Sequence, residues 1–107
     1  MTQKKKLRKQ FKTSVVSRVN KSCVMCNYKS ITHDYSDLDA HHITDRHKFI
    51  NGGYVLENGI SLCSTCHIKA EQFHSTGIAY TGYSIEDLYS KIHSSYYKAI
   101  EADSKCN

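Results

Sequence analysis

Four cysteines in two Cys-x2-Cys pairs, Cys23 with Cys26 and Cys63 with Cys66, restrict this chain more than any other feature of it. Each pair puts two thiols on one turn of backbone. Together they offer four soft ligands, the donor set of a closed tetrahedral zinc site. Disulfides or a redox pair are the competing use of such cysteines. However, no apolar stretch follows the basic N-terminus as in a secretory signal, and no thioredoxin-like pattern surrounds either pair. The thiols are therefore expected to stay reduced, in a cytoplasmic setting, and to hold metal. Length makes such a staple valuable. A chain of 107 residues forms one domain and hides only about 60–65% of its unfolded surface, so a structural Zn2+ worth on the order of 10 kcal/mol would matter. Cys106 reads as a free thiol without a role.

Charge is distributed unevenly. Residues 1–21 contain Lys4, Lys5, Lys6, Arg8, Lys9, Lys12, Arg18 and Lys21 and no acidic residue, while the rest of the chain carries seven Lys/Arg against ten Asp/Glu. All of the net charge of +5 thus sits in an N-terminal arm. Such an arm neutralises phosphates and releases condensed counterions, giving binding that is strong at low salt and weak at high salt. A solubilising tail has the same composition, so nucleic acid is favoured only if the remaining residues supply a reason. No run of about 18 apolar residues occurs, and no transmembrane helix is expected.

There is no proline, and the five glycines serve as punctuation. Phe11, Val15, Val16 and Val19 recur at helical spacing, so the arm is expected to end in a short helix. A short apolar segment near Leu38 leads into Ala40-His41-His42-Ile43 and then a polar loop holding Asn51-Gly52-Gly53. Asn58-Gly59 precedes Ile60-Ser61-Leu62, which reads as a second strand. Cys63 through Phe73 or His74 reads as a helix ended by Gly77. Ser84-Ile85-Glu86-Asp87 resembles a capping box that opens a helix with the apolar face Ile85, Leu88, Ile92, Tyr96 and Ile100. That helix is expected to pack on the core or on a second subunit.

Thirty-six residues separate Cys26 from Cys63, far more than the insert of a simple zinc ribbon, and they hold His33, His41, His42 and His47. Here the residues resemble a known family. His41-His42-Ile43, Asn58-Gly59-Ile60-Ser61-Leu62-Cys63 and Cys66-His67 follow the order of the HNH nuclease motif with its ββα-metal fold, over residues ~23 to 74. The stretches around Ala40–Arg46 and Gly52–Ile60 look most like its phage-associated branch. The resemblance implies His41 as a ligand of a catalytic divalent ion and His42 as the general base. It implies Asn58 as the residue that steadies the base, and His67 as a second ligand from the helix. The third ligand is Glu71 or His74. Glu71, at i+4 from His67, stands about 40° from it around the helix, so one ion could meet both; it is the residue taken here. A carboxylate favours Mg2+ or Mn2+, whereas His74 would favour Zn2+ or Ni2+.

Hydrolysis of a phosphodiester needs a proton taken from water, positive charge on the phosphate oxygens and stabilisation of the departing 3′-oxygen, and histidine titrates in the range that permits the first. Neighbours on a strand point to opposite sides, so His41 and His42 can share one task only where the strand ends or twists. The expected architecture is thus α+β: a ββα-metal core at residues 23–76 stapled by a four-cysteine zinc site, a basic arm at residues 1–22, and a C-terminal helix at residues 77–107. The expected activity is a metal-dependent DNA endonuclease that nicks or has low specificity unless dimeric. Lys4, Lys5, Lys6, Arg8, Lys9, Lys12 and Arg46 are the candidate DNA contacts. A homodimer, or a partner protein conferring specificity, is compatible with the sequence, as is a cytoplasmic site (of the host cell if phage-encoded). The rival expectation is a zinc-stapled nucleic-acid-binding module without catalysis, which has no use for His42 or Asn58.

Overall fold

Two short strands form the centre, β1 (Leu38–His42) and β2 (Gly59–Cys63), paired antiparallel with Leu38 opposite Cys63 and His42 opposite Gly59. The computed structural model describes residues 2–106. Before the strands comes α1 (Gln3–Arg18); after them come α2 (Ser64–Thr76), α3 (Ile85–Lys91) and α4 (Tyr96–Ser104), with 3₁₀ turns at Arg46–Lys48 and Leu56–Asn58. The molecule is therefore α+β. No described helix is long and apolar enough to cross a membrane.

The sheet is covered by helices from two sides. His42 and its strand partner Gly59 face α1, where the Phe11 ring centroid lies 4.6 Å from that of His42. His41, one residue earlier, faces α2, with its ring 5.1 Å from that of His67. All five residues of β2 are buried, and Leu38, Ile60 and Leu62 form the core with Val16, Ile43, Phe49, Leu88, Tyr89 and Ala99. Burying each of the larger aliphatic side chains is worth about 1.5–3 kcal/mol.

The N-terminal segment is more than an arm with a short helix at its end. Thr2 caps α1 by accepting a bond from the Lys5 amide, and the Lys-, Arg- and Gln-rich residues up to Lys12 favour helix. Phe11, Val15 and Val16 are buried, and the Arg18 guanidinium donates to the carbonyls of Leu56 (2.7 Å) and Gly59. Gly59 permits this docking. A Cβ there would collide with Val15 Cγ2 and stand 2.9 Å from the Phe11 ring.

The single C-terminal helix expected from Ile85 to Ile100 is two helices. The capping box at Ser84 and Asp87 opens α3 as the sequence predicts. Helix α3 then stops in a Schellman turn: His93 adopts φ +57, with its amide bonded to the Ser90 carbonyl and the Ser94 amide to that of Tyr89. Ser95 caps α4 by accepting from the Lys98 amide. The chain turns there, and the buried residues of α4 become Ala99 and Asp103, while Tyr96 and Ile100 are exposed. Local capping chemistry overrides the apolar periodicity.

The loop between the strands is held from within and from α4. The Asp103 carboxylate, buried, accepts the Asn51 amide at 2.9 Å and the Gly53 amide at 2.8 Å. Gly53 has φ +69, and a Cβ on it would meet the Phe49 ring at 2.6 Å. The position therefore admits only glycine without rearrangement.

Candidate functional site

The two cysteine pairs meet where the chain enters the sheet and leaves it. Cys23 and Cys26 sit on a tight turn closed by the Cys23 amide on the Tyr28 carbonyl, and the Val24 amide ties this turn to Ser61 of β2. Cys63 ends β2 and Cys66 lies in the first turn of α2. Their four sulfurs lie within 4.8 Å of one another, and Cys26 Sγ is 3.6 Å from Cys63 Sγ. Zinc–sulfur bonds of about 2.3 Å in a tetrahedron place sulfurs roughly 3.8 Å apart, so the set fits the ion in both donor type and spacing. Burial raises the Cys66 thiol well above its ordinary value, so ionising this sulfur calls for a cation beside it. The Tyr83 hydroxyl, 3.3 Å from Cys66 Sγ, donates to this sulfur from the segment before α3.

A second cluster stands at the other end of α2's first two turns. His41, His67 and Glu71 bring one donor atom each within 4.8 Å of one another. Glu71 Oε1 is 3.2 Å from His41 Nδ1 and 3.4 Å from His67 Nε2. Donors about 2.1 Å from a shared ion stand roughly 3.0–3.4 Å apart, so these separations suit a single divalent cation. The His41 ring is the more telling observation. It is 2% exposed, and neither of its nitrogens has a hydrogen-bond partner among the described residues, the Glu71 contact being close but misaligned for one. Buried polar atoms are rarely left so, and a cation would satisfy one of them. His74 is not part of this cluster: its Nε2 lies 3.1 Å from the His42 carbonyl oxygen.

His42 shares the cluster's cleft. The cleft has a volume of about 390 Å³, and β1 supplies its floor, α2 one wall and α1 the other. The opposed directions of His41 and His42 are reconciled because the strand ends at His42, between the two helices. The His42 ring packs against Phe11 and, at 4.8 Å, against Tyr54. Burial, assisted by the positive charge of Arg46, pushes His42 down to about 4, with Asp45 opposing the shift. Burial and the neighbouring His67, His74 and His42 push His41 down to about 3. At neutral pH both rings therefore keep a free lone pair, suited to a ligand and to a proton acceptor.

Residues 23–73 match the family model described as HNH endonuclease. The chain carries an HNH domain. Comparison with curated proteins and with solved structures gave no match. The HNH match begins at Cys23 and ends on α2, so the four cysteines, His41, His42, Asn58, His67 and Glu71 all lie inside it. The family so matched is one of nucleases.

Asn58 does not open onto the cleft of this HNH domain. It is fully buried, and its side chain spans the base of the loop. Oδ1 accepts the Thr44 amide (2.9 Å) and the Tyr89 hydroxyl (2.8 Å), while Nδ2 donates to the carbonyls of Thr44 (3.1 Å) and Gly53 (3.2 Å). It holds the chain just beyond His42 in place and touches no reacting group. Of the basic candidates, Arg8, Lys12 and Arg46 line the cleft, whereas Lys4, Lys5, Lys6 and Lys9 lie on the outward faces of α1. The Tyr54 hydroxyl stands below its ordinary value: burial would raise it, and the guanidinium groups of Arg46 and Arg8 together reverse that.

Asp39, Tyr54, Tyr83, Tyr89 and Asp103 also build these sites, although no motif in the sequence marks them. Asp39 was within reach of strand alternation, since residues two apart share a face with His41. The other four reach the site from distant parts of the chain, with no local signal to announce them.

Proposed function

We propose that this protein is a metal-dependent DNA endonuclease in which His42 is the general base. The carrying observation is a neutral, half-buried imidazole at the end of β1 in the same cleft as the His41–His67–Glu71 cluster, with Arg8, Lys12 and Arg46 around it. His42 accepts the proton of the attacking water, and its packing between Phe11 and Tyr54 fixes the direction from which that water approaches. Asn58 steadies the loop that follows the base. A divalent cation on His41, His67 and Glu71 supplies charge to the phosphate oxygens and to the departing 3′-oxygen when bound. Two imidazoles with one carboxylate accommodate Mg2+ or Mn2+ and also Zn2+ or Ni2+, with the carboxylate favouring the harder pair. Products carry 5′-phosphate and 3′-hydroxyl ends, as in the phage-associated HNH enzymes the motif resembles.

Binding divides between two sets of cations. Arg8, Lys12 and Arg46 hold phosphates at the cleft, and Lys4, Lys5, Lys6 and Lys9 add salt-sensitive affinity along the backbone of the DNA. One cleft per chain cuts one strand, so a monomer nicks, and cutting both strands requires a homodimer or a partner protein. The working unit is the HNH core at residues 23–76 together with the basic segment at residues 1–22 and the C-terminal segment at residues 77–107, acting in the cytoplasm. A non-catalytic DNA-binding module would leave the unbonded His41 and the base-like His42 without a purpose.

The test is supercoiled plasmid incubated with wild type and His42→Ala, across Mg2+, Mn2+, Ni2+ and Zn2+. Metal-dependent relaxation by wild type, lost in His42→Ala with zinc content and folding retained, is the expected result. Plasmid left intact with every metal, alongside a gel shift that weakens as salt rises, would replace the nuclease with the binding module.

A further inference from the structure

We infer that Asp39 is a positioning residue that selects the tautomer of His67 and so aims its Nε2 at the cation; this rests on reading His41, His67 and Glu71 as a cation site. Asp39 and His41 stand two apart on β1 and therefore share the face that meets α2. Helix α2 presents His67 between them. Asp39 Oδ2 lies 3.1 Å from His67 Nδ1, the nitrogen turned away from the cluster, while Nε2 lies 3.4 Å from Glu71 Oε1 inside it. An ionised carboxylate only accepts hydrogen bonds. Nδ1 must then carry the ring proton, which leaves the lone pair on Nε2, where a cation needs it.

The two histidines of the cluster require different support. His41 is buried, and the rings of His67 and His74 pack on it at 5.1 and 5.3 Å, so its orientation is fixed without a hydrogen bond. The His67 side chain is 28% exposed on α2, and the Asp39 contact is the one made at its far nitrogen among the described residues, where a hydrogen bond distinguishes the two ring orientations. Asp39 is outside the set of donors that approach one another, so it acts through His67. Carboxylates that hold a ligating histidine in this way typically contribute 10–100-fold in metal affinity.

Two measurements on the zinc-loaded protein test this, each with wild type, Asp39→Ala and Asp39→Asn. Long-range 1H–15N correlation without added metal reads the His67 tautomer, and calorimetric titration with Mn2+ reads the second site while leaving the cysteine-bound zinc in place. Wild type should show His67 protonated at Nδ1 and should bind one Mn2+. Asp39→Ala should lose that tautomer preference and bind Mn2+ 10–100-fold more weakly, with Asp39→Asn, which keeps an acceptor oxygen but not the charge, in between. Asp39 is half exposed at a strand position, so both variants retain their fold, which zinc content verifies. Equal Mn2+ affinity in Asp39→Ala overturns the inference and leaves the cluster standing. Weaker affinity with an unchanged tautomer also overturns it, because Asp39 would then act by charge alone. Wild type that binds no Mn2+ removes the cluster reading itself, and the role of Asp39 with it.

Discussion

Replacing Asn58 by alanine tests whether the middle asparagine of the motif is a brace, as its geometry indicates. Four hydrogen bonds disappear together. The Thr44 amide, which is buried, is left with no partner; the Thr44 and Gly53 carbonyls are each deprived of a donor; the Tyr89 hydroxyl keeps its 2.7 Å hydrogen bond with Thr44 Oγ1. One orphaned amide costs about 1–3 kcal/mol, and the two weakened carbonyls and the small void bring the total to roughly 3–5 kcal/mol. That is a large share of the stability of a domain this size. Urea denaturation of the zinc-loaded protein measures it, and Asn58→Asp sharpens the result. The aspartate keeps Oδ1 for Thr44 and Tyr89 but turns a second oxygen toward two carbonyls. Burial there raises its pKa, so the folded variant retains a proton that the unfolded chain gives up above about pH 4. Stability must then fall as pH rises from 5 to 8, more steeply than in wild type. A destabilisation below about 1 kcal/mol for Asn58→Ala, at unchanged denaturant dependence, would refute the brace.

Three further outcomes follow from the same structure. Gly59→Ala forces a methyl into Val15 and Phe11, so it should cost about 1–3 kcal/mol and expose α1 to protease, with β2 itself unstrained because Gly59 has an ordinary strand φ. Removing Lys4, Lys5, Lys6 and Lys9 should flatten the dependence of DNA affinity on salt, by about 0.9 in log–log slope for each phosphate no longer neutralised, at constant kcat, whereas Arg8→Ala and Lys12→Ala should lower kcat; filter binding and steady-state cleavage separate the two sets. Tyr83→Phe removes the donor to Cys66 Sγ, so zinc should leave to a chelator several-fold faster and the thiolate-to-metal band of the Co2+-substituted protein should shift.

What was legible in the sequence is what depends on short spacing. The cysteine pairs announce themselves by two-residue separation. His67 and Glu71 share a face by helical period, and the end of α2 at Gly77, where φ is +81, is written in a single residue. Pattern failed where local capping competes with periodicity. The face Ile85, Leu88, Ile92, Tyr96 and Ile100 is a sound helical pattern, yet Ser95 offers a cap that starts a new helix, and the chain takes it. It failed again where partners are distant: Tyr89 reaches Asn58 across 31 residues and Asp103 reaches Gly53 across 50.

The basic N-terminal segment illustrates why composition alone understates a structure. Eight positive charges without an acid describe a flexible tail and a rigid helix equally well. The difference lies in residues of the same segment that are not charged. Phe11, Val15 and Val16 dock α1 on the sheet, and Gly59 lets them approach. Docking at that end leaves Lys12 and Arg8, one and two turns upstream of Val15, over the cleft that holds His42. A tail would pay the entropy of ordering each time it met a phosphate. A docked helix has those two charges in place beforehand, beside the proposed reacting centre, where charge would act on the transition state as well as on binding. The lysines on its other faces remain in solvent, free to follow a phosphate backbone of any sequence.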